Sequence, residues 1–169
     1  DCAVFECGDI CNLVTTDLLV EGVHFNLIYT PLKHLGYKAV AVNLSDIYAM
    51  NGTPKYITVS VAISRKFSVT AREQLYEGIK LACDRFDVEL IGGDTTSSLS
   101  GLFINITAIG QAKKENIAYR SGAKKNDLVC VSGDLGGAYI GLKVLEREAK
   151  LYMDDKDTQP ELEGYEYVI

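Results

Sequence analysis

The stretch Val88–Ile109, VELIGGDTTSSLSGLFINITAI, decides the architecture. Val88–Ile91 reads as a short strand that runs straight into Gly92-Gly93-Asp94-Thr95-Thr96-Ser97-Ser98, a run with the chemistry of a turn. Leu102–Ile109 (LFINITAI) reads as a second strand, with no helical period between the two. Two successive strands break the strand–helix rhythm that a doubly wound parallel sheet needs.

Upstream, Tyr56–Ile63 (YITVSVAI) alternates. Ile57, Val59, Val61 and Ile63 point to one side and Thr58, Ser60 and Ala62 to the other, the pattern of a half-buried strand. Thr70-Ala71-Arg72-Glu73 has the form of a capping box and starts a helix with the stripe Leu75, Ile79, Ala82, Cys83, Phe86. An earlier helix opens with Thr30 as N-cap and Pro31 at the first helical position, and runs to Met50. Asn51-Gly52 and Pro54 stop it. Asn12–Val20 (NLVTTDLLV) is a strand interrupted by one carboxylate, Asp17. The order strand, helix, strand, helix, strand, strand predicts an α+β fold, with a mixed or antiparallel sheet and the helices on one face. The polar run Arg120–Asp127 marks a boundary, giving one domain over 1–126 and the beginning of a second over 127–169. The latter holds an expected strand at Leu128–Val131, a helix at Ala138–Ala149 and an acidic tail over Asp154–Glu166.

The chain has 169 residues, 47% of them apolar and 24% charged, which suits a globular core and excludes extensive disorder. Its net charge of −6 and lack of a basic stripe argue against nucleic acid as a partner. No apolar run approaches the roughly 20 residues of a bilayer span, so no membrane is expected. Five cysteines, an odd number, point to free thiols in a cytoplasmic setting. Cys2, Cys7 and Cys11 have the wrong spacing for a plant-type iron–sulfur site and read as incidental or buried thiols.

Four aspartates stand at element ends or on inward faces: Asp1, Asp17, Asp46 and Asp94. Each taken singly also fits a cap or a turn. Asp46 is different, because the helix stripe Leu35, Gly36, Ala39, Asn43, Asp46, Ile47 turns it inward, where an unpaired charge is costly. Thr15 and Thr16 offer hydroxyls beside Asp17, and Gly92-Gly93 let backbone N–H groups near Asp94 approach an anion. Carboxylates and hydroxyls suit magnesium bridging to nucleotide phosphates. His24 lies in a loop open to a substrate, Tyr76 at the edge of a helix stripe, and Arg120 in a turn.

Four blocks taken in order resemble thiamine-monophosphate kinases, within the superfamily of aminoimidazole ribonucleotide synthetase. They are Thr15-Thr16-Asp17 through Glu21-Gly22-Val23-His24-Phe25, Lys38-Ala39-Val40-Ala41-Val42-Asn43-Leu44-Ser45-Asp46, Gly92-Gly93-Asp94-Thr95, and Arg120-Ser121-Gly122-Ala123. The family opens with Gly-Asp-Asp, whose second Asp corresponds to Asp1. The resemblance therefore implies that a segment precedes this one and that most of a C-terminal domain follows it.

The resemblance implies phosphorylation of thiamine monophosphate by ATP, giving thiamine diphosphate. It implies several magnesium ions on Asp1, Thr15, Thr16, Asp17, Asp46 and Asp94. ATP would contact Tyr76, Gly93, Asp94 and Arg120, and His24 would touch the substrate. No catalytic residue is expected beyond those holding the metal-bound phosphates. A homodimer is implied too, in which sheets of two subunits close a barrel. The alternatives are a synthetase of the same superfamily that phosphorylates an amide or carbonyl oxygen, an inactive fragment, or a binding module built on the cysteine-rich start.

Overall fold

The computed structural model describes residues 1–154; the acidic tail beyond Asp154 lies outside the described residues. The chain divides into two compact units, the first Asp1–Ala123 and the second beginning at Lys124.

The first unit holds a five-stranded sheet in the order β1-β2-β5-β3-β4. The strands are β1 (Ala3–Cys7), β2 (Ile10–Val20), β3 (Thr53–Ser64), β4 (Glu89–Ser98) and β5 (Phe103–Lys113). All pairings are antiparallel except β3 with β4, which are parallel and joined through helix α2. Helices α1 (Leu32–Ala49) and α2 (Val69–Phe86) complete the unit. The α+β class with a mixed sheet is as the element order predicts.

The core forms where the alternation of the strands meets the helix stripes. Ile57, Val59 and Val61 of β3 and Ile104, Ile106 and Ala108 of β5 are buried together with Leu35, Val40 and Ile47 of α1 and Leu75 and Ile79 of α2. Each such Leu or Ile contributes about 2 kcal/mol by leaving water. The two helices pack at glycines. A Cβ on Gly36 would lie 2.1 Å from the Leu75 carbonyl oxygen, and one on Gly78 would lie 1.8 Å from that of Lys33. This close approach brings α1 and α2 together over the same sheet face. No helix of the first unit covers the opposite face: Phe5, Leu18 and Tyr56 are exposed on it, in register with partly buried Val14, Val20, Phe103 and Ile109.

Several local expectations are corrected. Pro31, not Thr30, is the N-cap of α1; its backbone is extended and its carbonyl accepts the Leu35 N–H. The α2 cap is Ser68, whose Oγ accepts from Ala71 N–H at 3.1 Å, so the helix starts ahead of the Thr70–Glu73 box. Gly92–Ser98 is not a turn but continues β4, because β3 supplies a parallel partner along its length. β1 was not anticipated; it gains its ladder from β2 across a tight turn at Gly8. The Asn51 stop holds: Asn51 takes a left-handed conformation (φ 58°) and Gly52 N–H bonds the Ile47 carbonyl. In the second unit, Leu128–Val131 forms no strand and its apolar side chains are exposed. Helix α3 spans Gly137–Asp154, longer than the expected Ala138–Ala149.

Candidate active site

β2 and α1 build the first half of the site. Strand alternation turns Thr15 and Asp17 toward the helices, and the α1 stripe turns Asn43 and Asp46 toward them. Thr15 Oγ1 donates to Asp46 Oδ2 at 2.8 Å. Asp17 N–H donates to Asn43 Oδ1 at 3.0 Å, while Asn43 Nδ2 donates to the Ala39 carbonyl at 2.9 Å. Buried Asn43 thus braces the strand against the helix beside the two carboxylates. Neither the Asp17 nor the Asp46 carboxylate has a cationic partner among the described residues. Cys2, on β1's side of the cluster, has its thiol pushed above the ordinary range, first by burial and then by the negative charge of Asp46.

The same alternation turns Thr16 to the opposite face. Its hydroxyl donates to the Ile106 carbonyl at 3.2 Å and accepts from Asn105 Nδ2 and Thr107 Oγ1. It does not join the Thr15–Asp46 pair. Asp1 forms an ion pair with Arg120, so two residues expected in different roles neutralise each other here.

The second half lies on β4. Tyr76, Gly93 and Asp94, all expected at the nucleotide, line one groove of about 490 Å³ between α2 and the edge strand. Gly93 is required there by space: a Cβ would stand 1.8 Å from the Val59 carbonyl oxygen.

The ladder connects Asp17 through Ile106 and Val59 to Gly93, the neighbour of Asp94. Three inter-strand steps separate the two aspartates' strands, about 14 Å at the usual spacing. Magnesium–oxygen bonds are about 2.1 Å, so Asp17 and Asp94 of one copy stand on strands too far apart to meet at one ion. Consistent with this, no three carboxylate, imidazole or thiol groups converge on one point among the described residues.

His24 sits in a loop closed on itself and on β5. Its Nδ1 accepts the Val20 N–H at 3.0 Å, and its carbonyl accepts from Lys38 Nζ at 3.1 Å. A nitrogen that accepts carries no proton, so the neutral imidazole keeps its hydrogen on Nε2 as a donor. Glu21 pins the loop: its Oε2 accepts Leu102 N–H at 2.8 Å. Sequence reasoning missed Lys38 and Glu21 as braces, though both lie inside the quoted blocks. Cys7 lies on the sheet face opposite the helices and buried Cys11 on the helix face, so the cysteine-rich start does not gather around a cluster.

The chain belongs to the family of AIR synthase related proteins: the model for the AIR synthase related protein, N-terminal domain, matches residues 1–112. Within that class its similarity is to thiamine-monophosphate kinases. The thiamine-monophosphate kinase of Bacillus subtilis (strain 168) is 42% identical over 136 residues, covering 80% of this chain and 42% of that protein. The crystal structure of thiamine monophosphate kinase from Aquifex aeolicus superposes with a TM-score of 0.78 at 33% identity, covering 95% of this chain and 51% of that one. A structure of AaThiL complexed with AMPPCP and TMP gives a TM-score of 0.80 at 33% identity, covering 94% and 48%. The chain spans about half the length of the relatives it matches.

Proposed function

We propose that this chain is the nucleotide- and magnesium-binding part of a kinase that passes the γ-phosphoryl of ATP to the phosphate of thiamine monophosphate, giving thiamine diphosphate. The observation that carries this reading is that Tyr76, Gly93 and Asp94 all line one groove at the edge strand, with Asp94 in the ladder row of Ser60. The relatives support the same substrates.

The residues fit magnesium by the chemistry of their donors. Asp17 and Asp46 are carboxylates on adjoining elements with no cation between them, and Thr15 adds a hydroxyl to the set. A hard divalent cation would compensate carboxylates that no cationic side chain meets. Asp1, Thr15, Asp17 and Asp46 would hold ions on one side and Asp94 on the other; Thr16 would serve through its strand rather than its hydroxyl. When bound, magnesium would supply charge neutralisation between two phosphate-bearing substrates.

The rest falls to the chain itself. Gly93 leaves the β4 backbone open to the nucleotide, and Tyr76 walls the groove. Arg120 would exchange Asp1 for a nucleotide phosphate. His24 would present Nε2–H to the acceptor substrate. No general base is needed, because a phosphate monoester with a second pKa of about 6 is already largely ionised near neutral pH.

In this reading 1–126 is the ATP- and magnesium-binding domain and 127–169 begins a C-terminal domain. The sheet face opposite the helices, with exposed Phe5, Leu18 and Tyr56, would pair with that of a second copy to make a homodimer. The same reading puts the kinase in the cytoplasm; separately, no helix among the described residues is long and apolar enough to cross a membrane.

The test is calorimetric titration of this chain with a non-hydrolysable ATP analogue, with magnesium and then with chelator. Magnesium-dependent binding is expected, followed by thiamine-diphosphate formation by the full-length parent. A parent that turns over ATP without forming thiamine diphosphate overturns the assignment.

A further inference from the structure

We propose that Asn43 is a positioning residue, one that fixes the strand carrying Asp17 against the helix carrying Asp46 and so sets how tightly magnesium is held; the proposal rests on the magnesium reading above. Leu35, Ala39, Val40, Leu44 and Ile47 of α1 are buried and apolar, and Asn43, only 1% exposed, is the one polar side chain of the helix buried with them. An amide in such a place is costly unless its hydrogen bonds are made.

Asn43 makes them where β2 lacks a neighbouring strand. The ladder between β1 and β2 ends at Ala3–Val14, while β2 runs on to Val20 beside β5. From Thr15 onward, one edge of β2 therefore has no strand beside it among the described residues. The Asp17 N–H is met there by Asn43 Oδ1 at 3.0 Å, a side-chain amide in place of a strand. Asn43 Nδ2 donates to the Ala39 carbonyl at 2.9 Å, one turn back on α1. An N–H only donates and a carbonyl only accepts, so the two partners hold the amide in one orientation. Leucine would fill a similar volume and leave the Asp17 N–H unmet. Ionised aspartate would face the Ala39 carbonyl with a lone pair.

Two tethers then join strand to helix, Thr15 to Asp46 and Asp17 to Asn43. The first ends on a carboxylate, for which a cation would compete. The second ends on backbone and leaves the Asp17 carboxylate to a ligand. Magnesium demands near-ideal octahedral geometry at about 2.0–2.1 Å, so slack in the strand that carries Asp17 weakens it. Loss of a residue that orients a metal ligand typically costs about 10–100-fold in metal affinity.

The test is a titration of the whole 169-residue chain with magnesium chloride, followed through the backbone amide resonances of β2 and α1. Asn43→Leu should raise the magnesium midpoint about tenfold or more. Ile79→Val, a core change on α2, is the control for lost stability and should leave the midpoint in place. A second measurement needs no variant. Coupling is reciprocal, so if the Asn43 bond favours magnesium, magnesium favours the bond. Hydrogen exchange at the Asp17 amide of the unaltered chain should therefore slow about tenfold when magnesium saturates, and this measurement decides alone if Asn43→Leu does not fold. An unmoved midpoint in folded Asn43→Leu overturns the positioning role, as does an equal shift in Ile79→Val or Asp17 exchange that magnesium leaves unchanged. Those outcomes leave magnesium binding itself intact. An unaltered chain with no magnesium-dependent shifts overturns the magnesium reading, and the role of Asn43 falls with it.

Discussion

Thr15 of β2 donates its hydroxyl proton to Oδ2 of Asp46 on α1 at 2.8 Å, joining strand and helix through a carboxylate that has no cationic partner among the described residues. The two members of this pair predict different phenotypes. Thr15→Val removes the donor at nearly constant volume and leaves a half-buried carboxylate without a partner. It should cost about 1–3 kcal/mol in urea denaturation. Asp46→Asn keeps an acceptor for Thr15, so its stability should change by less than about 1 kcal/mol. It should nevertheless lose magnesium-dependent nucleotide binding and, in the parent, abolish transfer. Near-normal turnover of Asp46→Asn would remove the metal assignment.

Gly78→Ala sets two effects against each other. Alanine favours a helix interior by about 1 kcal/mol. Its Cβ would stand 1.8 Å from the Lys33 carbonyl oxygen, which is backbone and yields only if α1 moves. Overpacking of this kind costs about 1–3 kcal/mol, so the crossing should win and the midpoint of denaturation should fall. A stabilised variant would show that the helices are not in close contact.

Gly93→Ala meets the same limit against Val59 and should be destabilised to a similar extent. It differs in consequence, because β4 carries Asp94 in the groove with Tyr76. Calorimetry should show weakened nucleotide binding in Gly93→Ala and unaltered binding stoichiometry in folded Gly78→Ala.

The Cys2 thiol predicts a pH dependence. Burial, and then the charge of Asp46, raise its pKa in the folded chain above the ordinary 9.0. The unfolded chain releases this proton first as pH rises. The stability contributed by the protonated thiol is therefore fully present below about pH 9 and is lost as pH rises through the raised folded value. Alkylation of Cys2 should accelerate at a higher pH than alkylation of an unfolded peptide of the same sequence. Asp46→Asn should move that profile down, and an unmoved profile would place the carboxylate away from the thiol.

His24 should be a pure Nε2–H tautomer while neutral, since Nδ1 accepts from Val20 at 3.0 Å. Long-range nitrogen–proton correlation reads this directly. A mixture of tautomers would mean that the loop does not hold the ring, and that His24 does not present a fixed donor.

The interior was legible because its periods are physical. Ile57, Val59 and Val61 alternate since a strand sends successive side chains to opposite faces, and Leu75, Ile79 and Ala82 recur at helix spacing. Ends were less legible, because competing caps stand only a residue or two apart. Thr30 is a better cap on paper than Pro31 and Thr70 nearly as good as Ser68, yet Pro31 and Ser68 are the caps observed. Leu128–Val131 looked like a strand from composition alone, but a strand needs a partner ladder and none forms there among the described residues.

By itself, the sequence determined the α+β class and the inward position of Asp46, and its resemblance to a family put Tyr76, Gly93, Asp94 and Arg120 in one expected set. Those follow from periodicity and from motifs, which are properties of neighbours along the chain. Only the tertiary structure decided that Thr15 and not Thr16 meets Asp46, and that Arg120 neutralises Asp1. It alone placed Asp17 and Asp94 on strands three ladder steps, about 14 Å, apart. The reason is that one step along a strand reverses a side chain, while the distance between strands depends on the order in which they pair. That order is set by contacts between residues far apart in the chain.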